Sequence, residues 1–291
     1  AEDPTAEDNT PIKLRNNKFT QLFESLTGMY GWPNYGEFDP TPILAPFFLL
    51  FFAMCMGDCG YGILLMIIGV LIAKKKLNIE MFDGLGPIIT VLGIGTTVVG
   101  FFLGTFMGID LYAAEWMPQA LKSVMIKGEV MGYDIQMVLA LCIGVFHICL
   151  AMVVKAICYT KQFGFKENIA TWGWTLLIVG GLLVAILGMT VLPAAVFKWA
   201  IIAVGTVSAL AIYIFNTPGR NPLINIGAGL WETYNMATGI LGDVLSYIRL
   251  YALGLAGGML GAAFNNLGLM VMGGTTEGAT WQWLPFVLIL V

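Results

Sequence analysis

Arg249 is the residue whose chemistry most needs an explanation, because everything around it is apolar. It lies near the middle of Asn225–Leu267, a stretch with no proline and almost no turn chemistry. An arginine at mid-bilayer depth costs about 2.5–3.5 kcal/mol on insertion scales, and it does not readily discharge. It must therefore face protein or water. On a helical wheel Glu232, Asn235, Gly239, Gly242, Ser246 and Arg249 fall within an arc of roughly 100°. That makes a polar, small-residue stripe along an apolar rod. Two chemistries fit it. Arg249 pairs with Asp243 or Glu232 in a structural salt bridge, or it faces a group outside its own helix. Asp243 lies about 120° around the wheel, poorly aimed for an intrahelical pair, which favours the outside partner.

Two further groups have both a structural and a chemical reading. Asp58, in the string GDCGYG at 57–62, can cap a following helix or meet an ion. His147, the only histidine, sits inside an apolar segment and is either a hydrogen-bonded packing residue or a proton relay. The five cysteines all lie in apolar segments without a CxxC pair, and are expected to be reduced and buried, not metal ligands. No Walker-type or GxGxxG string occurs, and no Ser/His/Asp or Cys/His constellation can be proposed around the one mid-helix histidine. No catalytic site, no metal and no cofactor is expected.

The elements that carry these residues are set by composition. The chain is 58% hydrophobic and 11% charged with mean hydropathy +0.83, whereas soluble domains carry about 25% charged residues. The expected fold is all-α, a polytopic membrane bundle of about seven to eight transmembrane helices, with one long tilted helix carrying Arg249. As a helix Asn225–Leu267 is roughly 65 to 70 Å long against a bilayer core of about 30 Å. A net charge of −4 leaves no nucleic-acid footprint.

Residues 1–41 read as a polar linker and interfacial segment, with Tyr30, Trp32, Tyr35 and Phe38 suited to a membrane surface. Residues 42–291 form the transmembrane domain. Lys13, Arg15 and Lys18 precede the apolar run Pro42–Ala73, and Lys74, Lys75 and Lys76 follow it. If both clusters are cytoplasmic, the run is a helical hairpin turning near Gly57–Gly62. Further spans are expected over Gly86–Met107, Asp134–Tyr159, Ile169–Val191 and Ala194–Phe215, with a mixed-charge loop at 108–133. Lys155, Lys161, Lys166 and Arg220 extend the same orientation, which puts the N-terminus in the cytoplasm, while Lys122 and Lys127 lie across the membrane. The closing WQWLPFVLILV is about half a span, so the last helix is expected to be truncated.

Two strings then carry a resemblance. TPILAPFFLLFFAMCMGDCGYG at 41–62 and LGDVLSYIRLYALGLAGGMLG at 241–261 resemble the membrane domain of subunit I, also called subunit a, of V/A-type rotary ATPases. The segment from Asn16 to Tyr35 resembles its prokaryotic branch, and the likeness covers essentially the whole chain. The resemblance implies a stator subunit beside a rotor ring of carboxylate-bearing c/K subunits. Central and peripheral stalk subunits complete such an assembly. The family's essential helix arginine matches Arg249. The soluble N-terminal stalk domain and the remainder of the last helix, with a second functional arginine, have no counterpart here.

The implied function is coupling of H+ or Na+ translocation to rotation through two offset half-channels in a multi-pass subunit of the cell membrane. Glu232, Asn235, Asp243, Ser246, Tyr247, His147 and Asp58 are candidates to line them, and Tyr247 and Tyr251 to orient the arginine. Glycines at 254, 257, 258 and 261 offer either a smooth docking surface or ordinary packing. The competing functions are a secondary transporter, using Arg249 for an anionic substrate, and a non-transporting assembly scaffold. A transporter usually shows paired repeats with breaks in matching positions; only the break at 57–62 is evident.

Overall fold

The computed structural model describes residues 14–33, 38–75, 84–112, 117–130, 132–190, 193–215 and 222–271. Lys13, Tyr35, Lys76, Arg220 and the tail read as half a span lie outside the described residues. The architecture is all-α, with two very short hairpins. Among the described residues five helices are long and apolar enough to cross a membrane, and two shorter apolar helices, Thr41–Met56 and Cys59–Ala73, accompany them.

Helix α1 (Lys18–Tyr30) is amphipathic and buries Thr20, Phe23 and Thr27. Helix α2 (Thr41–Met56) begins with a proline in its first turn, where the missing N–H is harmless. It stops at Gly57, which is left-handed at φ +57°. Asp58 caps α3 (Cys59–Ala73), and α4 (Gly86–Leu103) follows. Gly86, Gly93 and Gly100 of α4 press on the backbone of Ala73, Met66 and Cys59, so α3 and α4 are antiparallel. Ala45 clusters with Ile88 and Leu92, and Gly57 meets Leu103, so α2 runs with α4. The hairpin expected over Pro42–Ala73 is therefore present, turning at Gly57–Asp58. Its arms barely touch, because α4 packs against both.

The span expected over Gly86–Met107 ends earlier, at Leu103, because Gly104 turns left-handed and the chain enters a hairpin. Strands β1 (Thr105–Phe106) and β2 (Ile109–Asp110) pair, as do β3 (Glu129–Val130) and β4 (Tyr133–Asp134), with the short α5 (Gln119–Lys122) between the hairpins. Helix α6 (Ile135–Phe163) outruns its expected end at Tyr159 by a turn. Asn168 closes it, donating to the carbonyls of Tyr159 and Gly164. Helix α7 (Ile169–Thr175) continues through a π turn (Leu176–Gly180) into α8 (Gly181–Thr190). Helix α9 (Ala194–Tyr213) leads to α10 (Pro222–Val271), one helix of 50 residues.

The chain divides into two compact units. One holds the described residues up to Leu141 and those from Tyr247 onward; the other holds Cys142–Ser246. In the second, α7 packs on α9 through Gly173, close to Ala211 and Ile212. The start of α10 docks on the end of α9: Asn225 donates to the Ile214 carbonyl, and Tyr213 shares a hydrogen bond with Thr233.

Candidate functional site

In the Cys142–Ser246 unit a cavity of about 490 Å³ opens beside α10. Glu232, Asn235, Met236, Gly239, Ile240 and Asp243 supply one wall, at the three- and four-residue spacing of a single helix face. Helix α6 contributes Ile148, Met152 and Lys155, and the segment from Glu167 to Thr175 closes the far side. Three candidates on α10, Glu232 and Asn235 from the stripe and Asp243 beside it, are thus brought together around one space. His147 is one residue from the lining, and the Asp243 carboxylate acts on it electrostatically. Ser246 lies one turn past the lining and is exposed. Lys155 and Glu167 also line the cavity. In the sequence Lys155 reads only as a mark of orientation, and Glu167 lies far from α10.

The other unit has its own cavity, of about 570 Å³. Its polar lining includes Asp58, Asp110, Lys127, Glu129, Asp134 and Tyr251, with Gly254 and Gly258 of α10 leaving room. Lys127 and Asp110 form an ion pair. No spacing in the sequence gathers these residues, because Asp58, the two hairpins and Tyr251 of α10 meet only through tertiary folding. Asp58 is 4% exposed and fully engaged. It accepts hydrogen bonds from the backbone N–H groups of Gly60, Tyr61, Met107 and Gly108. Its capping reading is what the structure contains.

Arg249 is exposed, and among the described residues it forms no ion pair or hydrogen bond. Neither Asp243 nor Glu232 pairs with it. Two residues along a helix is 200° of rotation, so Tyr247 and Tyr251 lie on the opposite face. Tyr247 packs on Phe51 with ring centroids 5.1 Å apart, and lines neither cavity. Tyr251 donates to Asp134 at 3.3 Å. The four glycines divide as well. Gly254 and Gly261 pack inside the chain, on Met54 and Gly108, while Gly257 meets nothing.

These features define an all-α, multi-pass membrane protein built on one long helix that presents a charged group on an uncovered face. The family model of the V-type ATPase 116kDa subunit family matches residues 2–117. The A-type ATP synthase subunit I of Methanocaldococcus jannaschii is 30% identical over 91% of this chain and 41% of its own length. That of Pyrococcus abyssi is 31% identical over 91% and 38%. The V-type ATP synthase subunit I 1 of Treponema pallidum is 27% identical over 91% and 43%. The chain belongs to the subunit I family of V/A-type ATPases, and spans about two fifths of the length of these relatives.

Proposed function

We propose that this chain is the ion-translocating stator domain of a rotary ATPase, and that Arg249 acts on the carboxylates of a rotor ring. One observation carries the reading. Arg249 is an exposed cation without a partner among the described residues, on a face lined by exposed Leu245 and Leu253. Bare lipid is a costly neighbour for it. A ring of carboxylates supplies both the cover and the countercharge. The two cavities support two half-channels. On α10 the lining of one ends at Asp243 and the lining of the other begins at Leu250, with Arg249 between them in sequence.

The physics follows from charge. An ionised rotor carboxylate in lipid is expensive, so it must be neutralised by H+ or Na+ before it turns outward. A fixed guanidinium favours the ionised form and lowers the carboxyl pKa, which releases the ion at the stator. It also bars a cation from passing straight between the half-channels. A buried lysine would do this less reliably, because it can lose its proton. Glu232, Asn235 and Asp243, with His147 beside them, serve one path; Asp134 and Glu129 serve the other. Arg15, Lys18, Lys74, Lys75, Lys155, Lys161 and Lys166 support a cytoplasmic N-terminus. The subunit works with central and peripheral stalks and leaves nucleotide chemistry to other chains.

The test is ATP-driven ion transport in proteoliposomes of the complete complex carrying Arg249→Ala. The expected result is normal assembly with the ring and no coupled transport. Transport that survives in an assembled complex overturns the proposal, and failed assembly assigns Arg249 to the scaffold.

A further inference from the structure

We propose that Asp58 is a positioning residue for Arg249, acting through the turn between β1 and β2 and resting on the reading of Arg249 given above. Strands β1 and β2 pair Phe106 with Ile109, so Met107 and Gly108 are a two-residue loop. Both are left-handed, at φ +48° and +75°. That is a type I′ arrangement, which favours Asn-Gly and disfavours a methionine at the first position. The loop keeps this shape because Asp58 holds it: one carboxylate oxygen accepts the Met107 N–H at 2.8 Å and the other the Gly108 N–H at 2.8 Å.

The same loop is the seat of α10. The Met107 carbonyl accepts a hydrogen bond from the buried Asn265 amide at 2.6 Å. Gly108 lies directly on the backbone of Gly261, where a side chain has no room. Asn265 is sixteen residues beyond Arg249, about 160° around the helix. Tyr247 against Phe51 and Tyr251 on Asp134 are fixed on that same far side. The face opposite the arginine is thus pinned, which sets the roll of α10 and hence where the guanidinium points.

The chemistry of Asp58 explains why a carboxylate is needed. Capping α3 requires one acceptor oxygen; Gly60 and Tyr61 both donate to Oδ1. Asparagine retains that oxygen but sets an NH2 against the Gly108 N–H, donor to donor. Asp58→Asn therefore leaves the cap and the Met107 bond but removes the Gly108 bond, which loosens the turn. Met107→Asn restores a turn that holds itself, without returning the charge.

The experiment compares wild type, Asp58→Asn and Asp58→Asn/Met107→Asn in the complete ATPase complex. Amide exchange across 105–110 and 261–265 reads the seat independently of the ring. A disulfide between Leu253→Cys and a cysteine on the rotor helix reads the roll of α10. Asp58→Asn should speed exchange at both segments and lower cross-link yield about five-fold, the equilibrium equivalent of one ordinary hydrogen bond. Met107→Asn should return both toward wild type. Unchanged exchange in Asp58→Asn overturns the inference, as does transport lost in Asp58→Asn that Met107→Asn does not rescue, since Asp58 then meets the ion itself. Normal exchange shifts with no parent cross-link sustain the seat and instead overturn the placing of the ring on the Arg249 face.

Discussion

The α3–α4 pair and α10 are both rich in glycine and use it in opposite ways. In α4 39% of the span is buried within the chain; in an 18-residue apolar stretch of α10 the share is 6%. A Cβ on Gly62 would come within 2.5 Å of the Thr97 nitrogen, and one on Gly69 within 2.5 Å of the Thr90 nitrogen. Those glycines let two backbones meet and stay together. Gly242 and Gly257 of α10 face open space. Absence of a side chain there gains nothing within this chain, and a smooth surface is useful only to something that slides past or docks. One helix pair is finished internally, while the long helix leaves most of its apolar span uncovered within this chain.

The sharpest way to break this contrast is to fill one glycine on each side. Gly62→Leu puts bulk against backbone that cannot yield, beyond the roughly 1–3 kcal/mol of ordinary overpacking. The folded yield of the subunit should collapse. Gly242→Leu should change the thermal stability of the isolated subunit by no more than about 0.5 kcal/mol. In the assembled complex the same change should slow rotation-coupled transport. Equal stability losses for the two variants, in detergent melting curves, would end the distinction.

A smaller effect separates the cavity in the Cys142–Ser246 unit from the surface around it. Asp243→Asn and Glu232→Gln remove charge from the cleft proposed as one ion path. Transport at low ionic strength should fall about ten-fold, the lower end of electrostatic focusing, and less at high salt. Thr238→Ala, on the exposed flank of the same helix, should leave it unchanged. A flat response across all three variants removes the cavity from the ion path.

How much of this was legible depended on the range of the contact. Arg249 stood out because a permanent charge in an apolar run is costly wherever the run folds. The break at Gly57–Asp58 was legible because glycine in a left-handed position followed by a capping aspartate is local chemistry. The stripe that holds Glu232 and Asn235 was legible because helical periodicity is local too. Asp58's other two donors, on Met107 and Gly108, lie across the tertiary fold and leave no mark in spacing. The second cavity was hidden for the same reason. Tyr247 shows the opposite failure. Proximity to Arg249 in sequence made it a candidate lining residue, and helix rotation sends it to the far side.

The smallest effect concerns the junction of α1 with the start of α2. Thr27 and Thr41 share a buried hydrogen bond at 2.9 Å, and Asp39 organises the same corner. Its carboxylate accepts from the Thr41 hydroxyl at 2.6 Å, the Thr41 N–H at 2.9 Å and the Asn16 amide at 2.8 Å. Burial alone would raise its pKa. The bonds from the Thr41 hydroxyl, the Thr41 N–H and Asn16 outweigh it, and the group sits below the ordinary aspartate value. A depressed folded-state pKa contributes stability that is complete above the unfolded value, about 3.9, and is lost as pH falls through the folded one. Amide exchange in α1, corrected for its intrinsic pH dependence, should therefore be flat above about pH 5 and accelerate below about pH 4. Asp39→Asn should abolish that acceleration, while protection of the α3–α4 pair stays constant in both proteins. An α1 that loosens equally in wild type and Asp39→Asn would show that another group controls the corner.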